Sequence, residues 1–197
     1  MLKIYIDNFI IFIVLLNPMS KILFLFLLSE KVSKQALRKI AVRATVIGMI
    51  ILGTFAYVGS FILQSILHIE ISSLQIAGGI ILFLIGLNAL QKGEFFGKVR
   101  EEEMKDVATV PLASPLIAGP ATITASISQS TLYHPHIVTA SIFSALLVNF
   151  LIMLFSVEIG SILKRYHLMG AFIRINGLFI ASIGINMVLK GFKLPSN

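Results

Sequence analysis

The chain predicts an all-α membrane protein of six transmembrane helices, arranged as an inverted repeat of three plus three, with broken first and fourth helices. Three observations predict it. Apolar stretches of about 20 residues, each able to cross a hydrocarbon core of about 30 Å, recur between short basic loops. A glycine and asparagine pattern repeats half a chain apart. Two apolar stretches are interrupted by proline where the flanks imply membrane depth. Hydrophobic residues make up 57% of the 197 positions and charged residues only 13%, where a soluble domain holds about a quarter.

The first span runs from Ile4 to Leu28. It is too long for a signal peptide and lacks a small-residue cleavage site, so it is expected to be retained. The second runs from Ala41 to Leu67 and the third from Leu74 to Gln91. The fourth covers Val107 to Ser130, the fifth Ile137 to Leu163 and the sixth Ala171 to Leu189. A five-span count follows instead if the segment after Val107 dips in and returns. The whole chain, 1–197, makes a single transmembrane domain: a first repeat over 1–91, a linker over 92–106 and a second repeat over 107–197.

Loop charge sets the orientation. Lys31, Lys34, Arg38 and Lys39 occupy the first loop, Lys92, Lys98, Arg100 and Lys105 the third, and Lys164 and Arg165 the fifth. The second loop, His68 to Ser73, and the fourth, Thr131 to His136, carry no Lys or Arg. By the positive-inside rule the odd loops are cytoplasmic and both termini lie outside. The expected location is a multi-pass position in the cell inner (plasma) membrane. The net charge of +7 is therefore a topology signal, and no nucleic-acid partner is expected. Expected partners are the lipid bilayer, a small-molecule substrate and a homo-oligomer. The chain has no cysteine, so thiolate chemistry is excluded.

The repeat is carried by Gly79-x6-Gly86-x-Asn88 and Gly177-x6-Gly184-x-Asn186, and by the breaks at Asn17-Pro18 and Gly119-Pro120. Halves of three spans must insert with opposite orientation, the arrangement of many secondary transporters, whose substrates sit where broken helices meet. The second break is the stronger. Pro111, Pro115, Gly119 and Pro120 interrupt one apolar stretch. Proline removes a backbone donor and clashes one turn back, and the freed groups are tolerated at depth only inside protein or beside a wet cavity. A helix restarting at such a break aims N–H groups and its positive dipole end into the core, which suits a carboxylate. Thr122, Thr124, Ser126, Ser128 and Ser130 follow, and those near Pro120 can bond freed carbonyls or line a polar path.

Other polar residues read more plainly. Lys21 lies inside the first span, where an ionisable group is a functional candidate. Its long stem also allows snorkelling to the cytoplasmic boundary, which is the expectation. Glu158 and Arg174 are placed to form a structural ion pair between the fifth and sixth spans. His68, His134, His136 and His167 map to loops. No mid-span Asp or Glu and no intramembrane His is present, so an enzyme with a nucleophile and base at depth is not expected. No cofactor is expected; a coupling ion, sodium or proton, would bind through backbone carbonyls at the breaks.

The Asn17-Pro18 break, the run Gly78-Gly79-Ile-Ile-Leu-Phe-Leu-Ile-Gly86 and the segment Val110-Pro-Leu-Ala-Ser-Pro-Leu-Ile-Ala-Gly-Pro-Ala-Thr-Ile123 resemble the MarC family of bacterial and archaeal inner-membrane proteins. The resemblance spans essentially the whole chain. It implies six spans, an inverted repeat of three, kinship with LysE-type exporters and transport of small neutral amino acids such as glycine and alanine. The chain departs from the family form at Ser20, usually glycine, at Lys21, usually an amide, and at Leu23, often a proline. The expected substrate-binding residues are Asn17, Pro18, Ser20, Gly78, Gly79, Asn88, Ser114, Pro115, Gly119, Pro120 and Thr122, acting by alternating access. The alternatives are a non-transporting accessory protein or an exporter of another small solute.

Overall fold

The computed structural model describes residues 1–30, 32–93 and 117–193, with only the backbone of Pro120. Pro111, Ser114, Pro115 and most of the linker 92–106 lie outside the described residues. Helices α1 (Leu2–Leu16) and α2 (Pro18–Ser29) make the first span. Helix α3 (Lys34–Phe61) ends in a π-helical turn, Ile62–Ile66, and α4 is Ile71–Lys92. Then follow α5 (Pro120–Leu132), α6 (Pro135–Leu154), α7 (Ser156–Arg165) and α8 (Met169–Lys193).

Five helical stretches among the described residues are long and apolar enough to cross a membrane: Leu2–Ser29, Lys34–Ile66, Ile71–Lys92, Pro135–Leu154 and Met169–Lys193. Of the fourth expected span the described residues hold α5, whose 13 residues rise about 20 Å; its first part, before Ile117, lies outside the described residues. The fifth expected span is not one helix. It breaks at Phe155, with φ −96° and ψ 10°, although no proline or glycine marks the place. The α1–α2 pair runs alongside α6–α7, from Tyr5 hydroxyl with Ser144 Oγ (2.5 Å) to Lys164 Nζ with Glu30 (2.9 Å). The break at Phe155 therefore lies beside the break at Asn17.

Side-chain contacts fix the direction of every helix. Gln75 on α4 meets Ser128 on α5, and Ser141 on α6 bonds the carbonyl of Tyr5 on α1. A Cβ at Gly191 on α8 would meet the carbonyl of Ser72 on α4. The start of α1, the end of α8, the start of α4 and the α5–α6 turn thus share one face of the bundle, here the terminal face. Lys34, Glu158, Glu30 and Lys164 meet at the opposite face in two exposed pairs.

The core lies among α1, α3, α5 and α6, where Phe12, Leu16, Leu52, Ile117, Ile142 and Leu146 are fully buried. Outward positions are large and apolar: Ile50, Phe61, Phe179 and Phe192 are all well exposed. An apolar belt of this extent suits lipid rather than water.

The closest helix pair is α4 with α8. A Cβ at Gly79 would lie 2.6 Å from the carbonyl oxygen of Gly184, and one at Gly184 2.5 Å from that of Gly79. Gly86 and Gly177 stand in the same mutual relation, at 2.5 and 2.8 Å. Only glycine permits this approach. The contact maps onto itself when each α4 position is exchanged with its α8 counterpart 98 residues on.

Candidate functional site

The first break is built on Asn17. Its backbone adopts the left-handed conformation, φ 49°, which asparagine tolerates better than other residues with a side chain. This turn ends α1, and Pro18 opens α2 at the position where a missing N–H costs nothing. The Asn17 Oδ1 accepts from the Ser20 N–H at 3.4 Å, and the Ser20 hydroxyl donates to the Asn17 carbonyl at 2.9 Å. The same Oδ1 accepts from Asn176 Nδ2 of α8 at 2.6 Å. The break is thus locked to a neighbouring helix.

The second break is local. Gly119 is extended, φ −77° and ψ 169°, and caps α5 without a side chain. Thr122 instead ties the segment before the helix: its hydroxyl donates toward the carbonyl oxygens of Ile117 at 2.8 Å and Gly119 at 2.9 Å. Ser20 and Thr122 occupy the same position, third in helices that open with proline, and both bond the carbonyl of the residue before that proline. The two half-helices run in opposite directions, so their N-termini both lie within the bundle. Dipole ends placed there favour negative charge.

The hydroxyl row on α5 is buried. Thr124 and Ser126 have no exposed surface, Ser128 is 2% exposed, and Ser126 Oγ donates to the Leu52 carbonyl of α3 at 2.7 Å. Thr124 packs on Gly78, whose missing side chain makes room for it: a Cβ there would lie 2.8 Å from Thr124 Oγ1. That hydroxyl has no hydrogen-bond partner among the described residues.

Toward the terminal face, α1, α4, α5 and α8 enclose a cavity of about 260 Å³, below the roughly 300–1,000 Å³ of pockets for drug-sized ligands. Its walls are mostly aliphatic, with Gln75, Ser128, Gln129, Asn186 and Lys190 as polar points. A more open cleft between α1 and α8 adjoins it through Val14, Ile183 and Asn186. A third cavity, about 410 Å³, lies near the opposite face between α3 and α6–α7, lined by Lys34, Arg38 and Glu158 among others.

The expected site residues fall into separate groups. Asn17, Pro18 and Ser20 form one break, Gly119, Pro120 and Thr122 the other, and Gly78 touches α5. Gly79 instead serves the contact with α8. Asn88 is half-buried and lies ten residues beyond Gly78, about 15 Å along the helix; its repeat counterpart Asn186 lines the cavity. The polar residues missed at first are Asn176 and Gln75. Both are intramembrane amides on the glycine-bearing helices, a signal available to any search that weighs amides as well as charges.

Two other expectations are corrected. Glu158 pairs with Lys34 at 3.4 Å, and Arg174 Nη1 donates to the Leu90 carbonyl at 3.3 Å, so Glu158 and Arg174 do not pair. Lys21 does not snorkel: it is 2% exposed, because α2 is covered by α7, α6, α3 and α8. His136 lies in the first turn of α6, its ring stacked on that of His134 at 5.3 Å. No cluster of potential metal ligands occurs among the described residues.

The family model described as MarC family integral membrane protein matches residues 2–194. The chain belongs to the MarC family. It is 38% identical to a UPF0056 membrane protein of Pyrococcus horikoshii over 97% of this chain and 94% of the relative. A UPF0056 membrane protein of Aquifex aeolicus is 30% identical over 96% of this chain and 92% of its own length. The UPF0056 membrane protein YvbG of Bacillus subtilis is 29% identical over 90% and 88%. No solved structure matches. The matches span nearly the full length of this MarC protein, a multi-pass membrane protein, and take in the two breaks and the glycine pair.

Proposed function

We propose that this MarC protein is a multi-pass transporter of small neutral amino acids, working by alternating access about an inverted repeat of three plus three helices. The observation that carries the reading is the exchange symmetry of the paired breaks. Two helices open with proline inside the bundle, each with a hydroxyl three residues in bonding back to the cap carbonyl. They flank a glycine pair, α4 and α8, whose contacts are reciprocal. An inverted repeat of this kind gives a protein two related conformations, each opening one face.

The cavity on the terminal face supports the same reading. With basic loops inside, the terminal face on which this cavity lies is the outer one and both termini lie outside, in the inner membrane. The cavity size suits a small solute.

The direct test is uptake of labelled glycine and alanine into proteoliposomes under an imposed sodium or proton gradient. Gradient-dependent accumulation, dependent on intact Asn17, is expected. Intact, oriented protein that moves neither solute under either gradient would count against transport and favour an accessory role or another solute.

A further inference from the structure

We propose that the terminal-face cavity is the outward-facing solute site, with Gln75 as the residue that takes the solute's nitrogen donor and Lys190 as the pole for its anionic end. The proposal rests on the transport reading above and assigns residues that lie outside both breaks.

Gln75 is 9% exposed, sits on the first turns of α4 and lines the cavity. Its Nε2 donates to Ser128 Oγ at 2.8 Å, while Oε1 has no partner among the described residues. A buried acceptor without a donor is costly in an apolar wall, and such an atom calls for a missing partner. An ammonium group entering the cavity supplies it.

The rest of the wall selects what the donor is attached to. Among the described residues that line the cavity Lys190 alone is charged, and none is a carboxylate. Gly191 packs against Ser72 and Ile76 of α4, so Lys190, its neighbour in the chain, stands on α8 at about the level of Gln75. Val14, Ala125 and Ile183 also line the cavity and offer apolar contact but no hydrogen bond. The matching solute has a nitrogen donor, a short apolar body and an anionic group: a small zwitterion without a charged side chain. A solute with an extra cation meets Lys190 without a balancing acid.

Equilibrium binding to the purified, full-length protein in detergent tests this without requiring flux. The probes are labelled L-alanine and two competitors, propionate, which lacks the amine, and ethylamine, which lacks the carboxylate. Gln75→Leu is expected to weaken alanine binding at least tenfold, while Gln75→Glu, which keeps the acceptor, retains it. Lys190→Gln is expected to weaken alanine several-fold and leave ethylamine competition unchanged. Ala125→Leu, which fills the cavity from α5 without touching the amide, is expected to abolish binding and guards against misfolding of the Gln75→Leu protein. Wild-type affinity in Gln75→Leu or in Ala125→Leu overturns the site, as does a wild-type protein that binds no alanine. Proteoliposome flux separates the two proposals: binding that obeys Gln75 without any flux removes transport and leaves the site. Flux with binding indifferent to Gln75 removes the site and leaves transport.

Discussion

The two breaks solve one problem by different means. At Asn17 the chain turns through a left-handed residue, and the cap side chain is shared between its own helix and Asn176 of α8. At Gly119 the backbone is extended, and a hydroxyl of the same helix, Thr122, gathers two loose carbonyls. The first break is held by tertiary contact, the second by local chemistry. A break tied to a neighbour by a single 2.6 Å hydrogen bond can be released by a movement of that neighbour. A self-capped break keeps its shape when its surroundings move. In a two-state transporter the first is suited to act as the latch and the second as the fixed element.

The severest way to disturb this contrast is to separate the helices on which both breaks lean. A Cβ at Gly86 meets the backbone of Ala181 and Gly177, which cannot rotate away as a side chain can. Gly86→Leu is expected to destabilise by about 3 kcal/mol or more, since overpacking by even a few atoms costs about 1–3. Thermal melting in detergent measures it, and a melting temperature equal to wild type would show that the pair is not closely packed.

Next comes the latch. Asn17→Ala removes a helix cap, worth about 0.5–2 kcal/mol, and forces alanine into a left-handed turn, at about 1–2 kcal/mol. Asn17→Gly keeps the turn and loses only the side chain, so it should be the milder of the two. Asn176→Ala should cost about 1 kcal/mol, and the double variant with Asn17→Gly should be less destabilised than the sum. Strict additivity in that cycle would mean that the Asn17–Asn176 bond carries no coupling.

At the second break the order of effects reverses. Thr122→Val keeps the shape of the side chain and loses both carbonyl contacts, for an expected loss of about 1–2 kcal/mol. Gly119→Ala should change stability by less than about 1 kcal/mol, because φ −77° is open to any residue. If Gly119→Ala proves as damaging as Asn17→Ala, the distinction between a tertiary and a local break fails. The smallest effect belongs to the exposed pair at the opposite face. Lys34 and Glu158 are 77% and 55% exposed, and Glu158→Gln should shift stability by no more than about 1 kcal/mol and less at high salt.

Much of this architecture was legible along the chain, and the limits follow from particular residues. Pro18 and Pro120 announced their breaks because proline acts on its own backbone, whatever surrounds it. Gly79, Gly86, Gly177 and Gly184 announced a close helix pair by spacing alone, although not that they face one another. The interruption at Phe155 carried no signal, since no proline or glycine stands there. Lys21 was misjudged because its stem is long enough to snorkel, and only the packing of four helices around α2 removes that route. Glu158 and Arg174 looked like partners by depth, yet the fold turns Glu158 to Lys34 and Arg174 to the carbonyl of Leu90.

The sequence by itself determined the solvent and the punctuation of this protein. Hydrocarbon-length apolar stretches, basic loops and the two proline breaks are properties of short segments, and short segments fix them through hydrophobicity and backbone sterics. Only the tertiary structure decided which polar groups meet. The lock of Asn17 on Asn176, the contact of Gln75 with Ser128 at the cavity wall, and the burial of Lys21 each join or cover residues far apart in the chain. Inside a membrane water is not available to satisfy them, so the partners of such groups are set by where the helices pack.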